Sequence, residues 1–356
     1  MKLSPAKPPA LALAFMLSTS VGAIAADTLQ WTKLPPIPDR EGFAWPFAGV
    51  SGGGLIVAGG ANFPDKKPWE GGTKVWYDKV FVLEKPEGQW REAGKLKRRL
   101  GYGISVDVPN GTACIGGSDA AKHYAEGFLL DYDPAKGKVR SRPFAKLPQP
   151  VANASGALLD ETIYIAGGIA TPTATKALDT FFSFDLRSKR KKWLSMETWP
   201  GRERMLAIAG AYDGAFYLFG GCALKAGTDG KPEREWLRDA YRFRPGEGWK
   251  RIADLPRVAV AAPSPAPVVN GKLLILGGDD GAQVNTPPTE HKGFPRSVLA
   301  YGPAKDKWET LGEVPFSLVT TPAVEWQGRV IIPGGEARPG IRSTEVWSAR
   351  TPPDPL

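Results

Sequence analysis

The chain has 356 residues, 42 of them Gly and 34 Pro, with 42% hydrophobic residues and a formal net charge of +9. Gly and Pro are spread along the chain and punctuate short apolar runs, a pattern of all-β proteins that excludes a helical bundle and a low-complexity chain. The positive excess forms no stripe or arm, which argues against nucleic-acid binding and leaves a mild field suited to a small anionic substrate.

Lys2 and Lys7 precede an apolar run that starts at Ala10 to Met16 and weakens toward Ile24, and Ala23-Ile24-Ala25 supplies small residues at a cleavage spacing. Residues 1–25 are therefore expected to be a removed signal peptide, and 26–356 one exported domain, periplasmic or secreted. No later stretch approaches the roughly 20 apolar residues of a membrane span.

Leu29-Gln-Trp-Thr-Lys33 reads as a strand. Glycine pairs then recur at 59–60, 116–117, 167–168, 220–221, 277–278 and 334–335, each closing an apolar strand: LIVAGG, ACIGG, IYIAGG, FYLFGG, LLILGG and VIIPGG. A third strand follows each pair (VFVL, FLLDYD, FFSFDL, AYRF, VLAYG), and a fourth is usually marked by Trp: Trp90, Trp193, Trp249 and Trp308. A period near 50 residues with one doublet per unit resembles the Kelch repeat and predicts a six-bladed β-propeller. The last unit has a third strand, Glu345-Val-Trp-Ser-Ala349, and no fourth, so the strand around Trp31 is expected to complete it and to remove the exposed sheet edges.

In such blades the connections from strand 2 to 3 and from strand 4 to the next blade share one face. The 1→2 turns, such as Asp213-Gly214, Asn270-Gly271 and Gln327-Gly328, are tight hairpins. The 2→3 loops at 61–78, 222–239 and 279–296 are long and polar, which places the functional face on their side. Cys114 and Cys222 lie in blades that are not neighbours and are read as free buried thiols.

The final 2→3 connection reads Gly334-Gly-Glu-Ala-Arg-Pro-Gly-Ile-Arg-Ser-Thr-Glu-Val-Trp347. It resembles the N-acetylneuraminate epimerase/mutarotase family of Kelch propellers, in which a Glu after the glycine pair and an Arg six residues later form the catalytic pair. The segments Gly59-Gly-Ala-Asn-Phe-Pro-Asp65 and Trp69-Glu-Gly-Gly-Thr-Lys-Val-Trp76 are similar to that family as well. The resemblance implies an isomerase acting on the anomers of an acidic sugar, with Glu336 as base and Arg342 orienting the sugar acid or stabilising developing charge. It implies no cofactor and no metal. In better-known members this segment lies in mid-chain, so the order here resembles a circular permutation, which a closed ring tolerates.

Four further residues are candidate substrate contacts. Asn62 and Asp279 come after glycine pairs, and Arg99 and Arg204 sit on crossings into innermost strands. Bland alternatives are a turn-forming role for Asp279 and inter-blade salt bridges for the arginines. A copper-radical oxidase of Kelch type, which needs a metal held by histidines and tyrosines, is disfavoured because His123 and His291 are the two histidines and lie in separate blades. A sialidase is disfavoured because Ser-x-Asp-x-Gly-x-x-Trp boxes are missing. The remaining alternative is a non-catalytic secreted module that binds a glycan or a protein, since a fold does not fix a function.

Overall fold

Each apolar run before a glycine pair forms the second strand of a four-stranded antiparallel blade. The computed structural model describes Met1, residues 29–227 and residues 230–350; the expected signal peptide lies outside the described residues. Blade 1 consists of Phe47–Ser51, Gly54–Ala58, Lys79–Leu83 and Arg91–Lys95; blade 2 of Ile104–Val108, Gly111–Ile115, Gly127–Asp133 and Lys138–Phe144. Blade 3 comprises Ser155–Leu159, Thr162–Ala166, Phe181–Asp185 and Leu194–Ser195, and blade 4 Ile208–Tyr212, Ala215–Phe219, Ala240–Arg244 and Gly248–Ile252. Blade 5 is built from Val268–Val269, Lys272–Leu276, Ser297–Gly302 and Lys307–Glu313.

Blade 6 joins the two ends of the chain. Val324–Glu325, Arg329–Arg338 and Ile341–Arg350 supply three strands, and Gln30–Leu34 pairs antiparallel with the last of them from Gln30↔Arg350 to Leu34↔Val346. Trp31 meets Phe316 edge-on at 5.0 Å. Pairing the termini leaves no open edge between first and last blade, which suits a ring that must resist end-to-end association.

Six separate apolar cores lie one at each junction between neighbouring blades. Ile163, Ile165 and Phe182 pack on Ile104 and Ala113 between blades 3 and 2, and Leu34, Val324 and Val346 pack on Leu55 and Phe81 across the closure. Burying a Leu, Ile or Phe contributes roughly 1.5–3 kcal/mol, so the junctions supply most of the stability. The marker tryptophans clip the outer rim: Trp90, Trp193, Trp249 and Trp308 donate their indole N–H to Pro35, Ala145, Glu197 and Ala253 carbonyls of the preceding blade.

The glycine pairs are required by backbone conformation and by contact. Gly59 has φ +66°, and a Cβ there would lie 2.2 Å from the Leu100 carbonyl oxygen. Gly167 is equivalent, with φ +69° and the Arg204 carbonyl 2.3 Å away. No side chain fits where the crossing to the next blade passes this close.

A collar of six backbone hydrogen bonds encircles the axis. Tyr102 N–H donates to Trp45 C=O (3.0 Å), Asn153 to Tyr102 (3.0 Å), Leu206 to Asn153 (2.9 Å), Ala261 to Leu206 (2.8 Å), Thr320 to Ala261 (2.8 Å) and Trp45 to Thr320 (2.6 Å). All six residues are left-handed, with φ between 43° and 61°. Such a conformation costs of order 1–3 kcal/mol per non-glycine residue and persists only where its surroundings over-determine it; here each donates one bond and accepts another.

Candidate active site

The residue after each glycine pair bridges to the crossing that precedes its own blade: Ala61 to Ala44, Ser118 to Gly101, Ile169 to Ala152, Cys222 to Met205, Asp279 to Val260 and Glu336 to Val319. These six positions ring the mouth of the propeller beside the collar. Only blades 5 and 6 place acids there, Asp279 and Glu336. Around part of the ring the mouth is apolar, with Ile169, Met205, Leu206, Cys222, Val260, Phe294 and Val319 in one buried cluster.

The segment carrying Glu336 is a hairpin, not the loop that the sequence suggests. The middle two strands of blade 6 extend past the glycine pair, with register shifts at Pro333/Gly335 and Glu336/Arg338. Bulges of this kind re-aim side chains. Here they put Glu336 directly across from Arg342, and Arg342 Nη1 donates to Glu336 Oε1 at 2.6 Å. Gly340 N–H donates to the same oxygen at 2.8 Å. Glu336 Oε2 has no hydrogen-bond partner among the described residues. The arginine side chain is 4% exposed and the glutamate 18%. Arg342 Nε reaches the Ala61 carbonyl (3.3 Å), and its guanidinium lies 5.2 Å from the Phe63 ring. The final blade is thereby tied to the 2→3 loop of blade 1.

That loop forms the adjoining wall. Ala61–Asn62 pairs with Val75–Trp76, and a 3-10 turn at Pro68–Glu70 stands against Gly340. The rings of Trp45 and Tyr102, and of Trp76 and Tyr102, are 6.2 Å apart. Lys74 Nζ sits over three rings, 5.1 Å from Tyr102, 5.4 Å from Trp76 and 6.0 Å from Phe63. Two buried polar atoms here, Trp76 Nε1 and Thr320 Oγ1, have no hydrogen-bond partner among the described residues. The sequence offered a signal for this wall, a lone lysine between aromatics in a long loop, but Lys74, Trp76 and Trp45 were not expected as site residues.

The other candidates separate. Arg204 is wholly buried, donates to both carboxylate oxygens of Asp239 at 3.1 and 2.7 Å and to the Gly220 carbonyl at 2.9 Å, and is flanked by the rings of Trp199 and Tyr241. It is an inter-blade brace with no face left for a ligand, in place of the expected substrate contact. Asn62 is 1% exposed, and its amide is engaged by Asp39, Gly42 and Tyr77, so it orders the blade 1 loop from inside. Arg99 is exposed, close enough to act on the Tyr77 hydroxyl. Asp279 lies at the mouth, 3.8 Å from Arg234, and accepts from Gly281 N–H; burial lifts its carboxyl above the usual range, and the N–H and guanidinium pull the other way.

Among the described residues no group of three or more His, Cys, Asp or Glu is arranged to hold a metal. Both cysteines are free and buried, and burial pushes the Cys222 thiol up to about 11, which makes it unreactive. A cavity of about 790 Å³ follows the axis and opens on the opposite face, lined by innermost-strand residues such as Ala48, Asp107, Ala157 and Val324. It does not include Glu336 or Arg342.

A family model described as N-acetylneuraminate epimerase matches residues 16–139 and 144–287. The chain belongs to this family. Curated relatives named N-acetylneuraminate epimerase include one from Haemophilus influenzae (strain 86-028NP), 28% identical over 237 residues that cover 59% of this chain and 60% of the relative. Another, from Yersinia enterocolitica serotype O:8 / biotype 1B, is 27% identical over 237 residues, 58% of this chain and 57% of the relative. A third, from Salmonella enteritidis PT4, is 42% identical over 109 residues, 26% and 28% of the two chains. The chain thus spans about three-fifths of the length of the first curated relatives it matches. The family match stops before the blade 6 hairpin that carries Glu336 and Arg342.

Proposed function

We propose that this protein is an acid–base mutarotase that interconverts the anomers of N-acetylneuraminate or a related acidic sugar, with Glu336 as the base. The observation that carries this reading is the asymmetry of the Glu336 carboxylate. Oε1 is fixed by Arg342 and by the Gly340 N–H, and Oε2 is left to accept a proton. Membership of the epimerase family supports the class of substrate.

The reaction needs few parts. The anomeric hydroxyl of a cyclic hemiketal gives its proton to Glu336 Oε2, the ring C–O bond breaks, and the ring oxygen takes a proton from water. After rotation about the bond to the carbonyl carbon, the same hydroxyl attacks the carbonyl carbon and returns its proton to the solvent, while Glu336 gives its proton back to the carbonyl oxygen, so the other anomer forms and the carboxylate is restored. One positioned carboxylate supplies roughly 10²–10⁴-fold in such a step. Arg342 is a positioning residue: its hydrogen bond holds the carboxylate in one orientation. The aromatic wall offers a flat apolar face to the sugar.

Proton NMR of a single freshly dissolved anomer, with and without the protein, tests the proposal. The wild-type protein is expected to accelerate equilibration and Glu336→Gln to remove the acceleration. An equilibration rate that the wild-type protein leaves unchanged overturns it and favours a non-catalytic binding module.

A further inference from the structure

Arg342 is committed to other protein groups. Nη1 is bonded to Glu336 and Nε to the Ala61 carbonyl, and its side chain is 4% exposed. A sugar acid entering this mouth therefore needs a different cation for its own carboxylate. Arg204 is sealed on Asp239, and Arg234 faces Asp279. Lys74 is placed otherwise. It makes no ion pair among the described residues, it is half-buried, and it stands over the rings of Tyr102, Trp76 and Phe63. The Phe63 ring is shared, with Arg342 at 5.2 Å and Lys74 at 6.0 Å, so the lysine is a near neighbour of the Glu336 pair.

We propose that Lys74 is the carboxylate anchor of this site, that the Trp76 indole N–H is a second donor to the same ligand, and that together they make the site specific for sugar acids over neutral sugars. This rests on the proposed function and deepens it. Three observations converge on one ligand chemistry: a cation without an acid, a buried indole N–H without an acceptor, and a cage of aromatic rings that fixes the lysine in place. Ammonium over aromatic faces is held without being neutralised. A ligand carboxylate would restore the missing ion pair and supply the missing acceptor. It would set the acid group on the blade 1 wall, leaving the anomeric carbon to face blade 6.

The test compares N-acetylneuraminate with its uncharged methyl ester, each titrated calorimetrically and assayed for anomer exchange, on wild type, Lys74→Met, Lys74→Arg and Trp76→Phe. Losing one charge-assisted contact is expected to weaken binding of the acid, and raise its KM, roughly 10- to 100-fold. The rise in KM for the acid should exceed any fall in kcat, and the ester should lose far less than the acid. Lys74→Arg should recover most of the acid binding, which a purely structural lysine would not require. Trp76→Phe should weaken the acid less than Lys74→Met does. Equal losses for acid and ester, or no loss, overturn the anchor. Lysine-dependent binding of the acid without accelerated exchange overturns the mutarotase and keeps the anchor. A wild-type protein that neither binds nor turns over the acid overturns both.

Discussion

The protein buries two arginines against carboxylates, Arg204 on Asp239 and Arg342 on Glu336, and the two pairs do different work. At Arg204 the contact is two-pronged, both carboxylate oxygens are used, and Trp199 and Tyr241 close the flanks. At Arg342 a single oxygen is used, and the other has no protein partner among the described residues. One pair is saturated and the other is held open on one side. A buried Arg–acid pair therefore says little by itself. The number of lone pairs left over separates a brace from a reactive group.

The largest expected effect breaks the open pair. Glu336→Gln keeps an oxygen that can accept from Arg342 and Gly340 but supplies no base. Anomer exchange should fall roughly 10²–10⁴-fold by NMR, with the circular dichroism spectrum unchanged. Survival of half the rate would remove Glu336 from the chemistry. The matching substitution in the closed pair acts on stability. Arg204→Met leaves Asp239 buried without its cation, which costs about 3–5 kcal/mol in urea unfolding, and kcat per folded molecule should be unchanged. Burial alone would raise the Asp239 carboxyl, but the hydrogen bonds and charge of Arg204 outweigh it and hold the group below its usual range. A depressed folded pKa gives stability that is present above the unfolded value near 3.9 and lost as pH falls through the lower folded one. That acid-side loss should be shallower in Arg204→Met than in wild type.

The same pair of sites shows how far the sequence could be read. The propeller is legible because each blade repeats one physical demand, a left-handed glycine pair where the next crossing passes within van der Waals contact, and Gly59 and Gly334 carry it 275 residues apart. Ring closure is legible because Trp31 lacks a blade of its own and Val346 lacks a neighbour. Glu336 and Arg342 stand out through the resemblance of their segment to the epimerase motif, and their contact is local because they pair across one hairpin six residues apart. Arg204 looked similar, yet its partner Asp239 lies 35 residues away, just before the third strand of blade 4, a contact that spacing does not reveal. Lys74 escaped for the related reason that its significance lies in what is missing around it, an acid, and only packing shows that.

Asp107 sharpens the comparison, because it is a buried carboxylate with no arginine at all. It lies on the innermost strand of blade 2, where Gly49 of blade 1 leaves room for it, and it accepts from Val50 N–H at 2.9 Å and Thr112 Oγ1 at 2.7 Å. Burial pushes its carboxyl up to about 6, and the two hydrogen bonds only moderate the rise. The sign is opposite to that of Asp239. With a folded pKa above the unfolded one, the native state binds more protons between about pH 4 and 6, so this group lowers stability as pH rises through that window. Asp107→Asn keeps an acceptor for both donors and removes the titration. The variant should match wild type near pH 4 and exceed it at pH 7 by about 1–3 kcal/mol in urea unfolding. Because Asp107 lines the cavity on the far side of the collar, anomer exchange should not change. A stability difference constant from pH 4 to 7 would show that Asp107 stays ionised, held by its two hydrogen bonds.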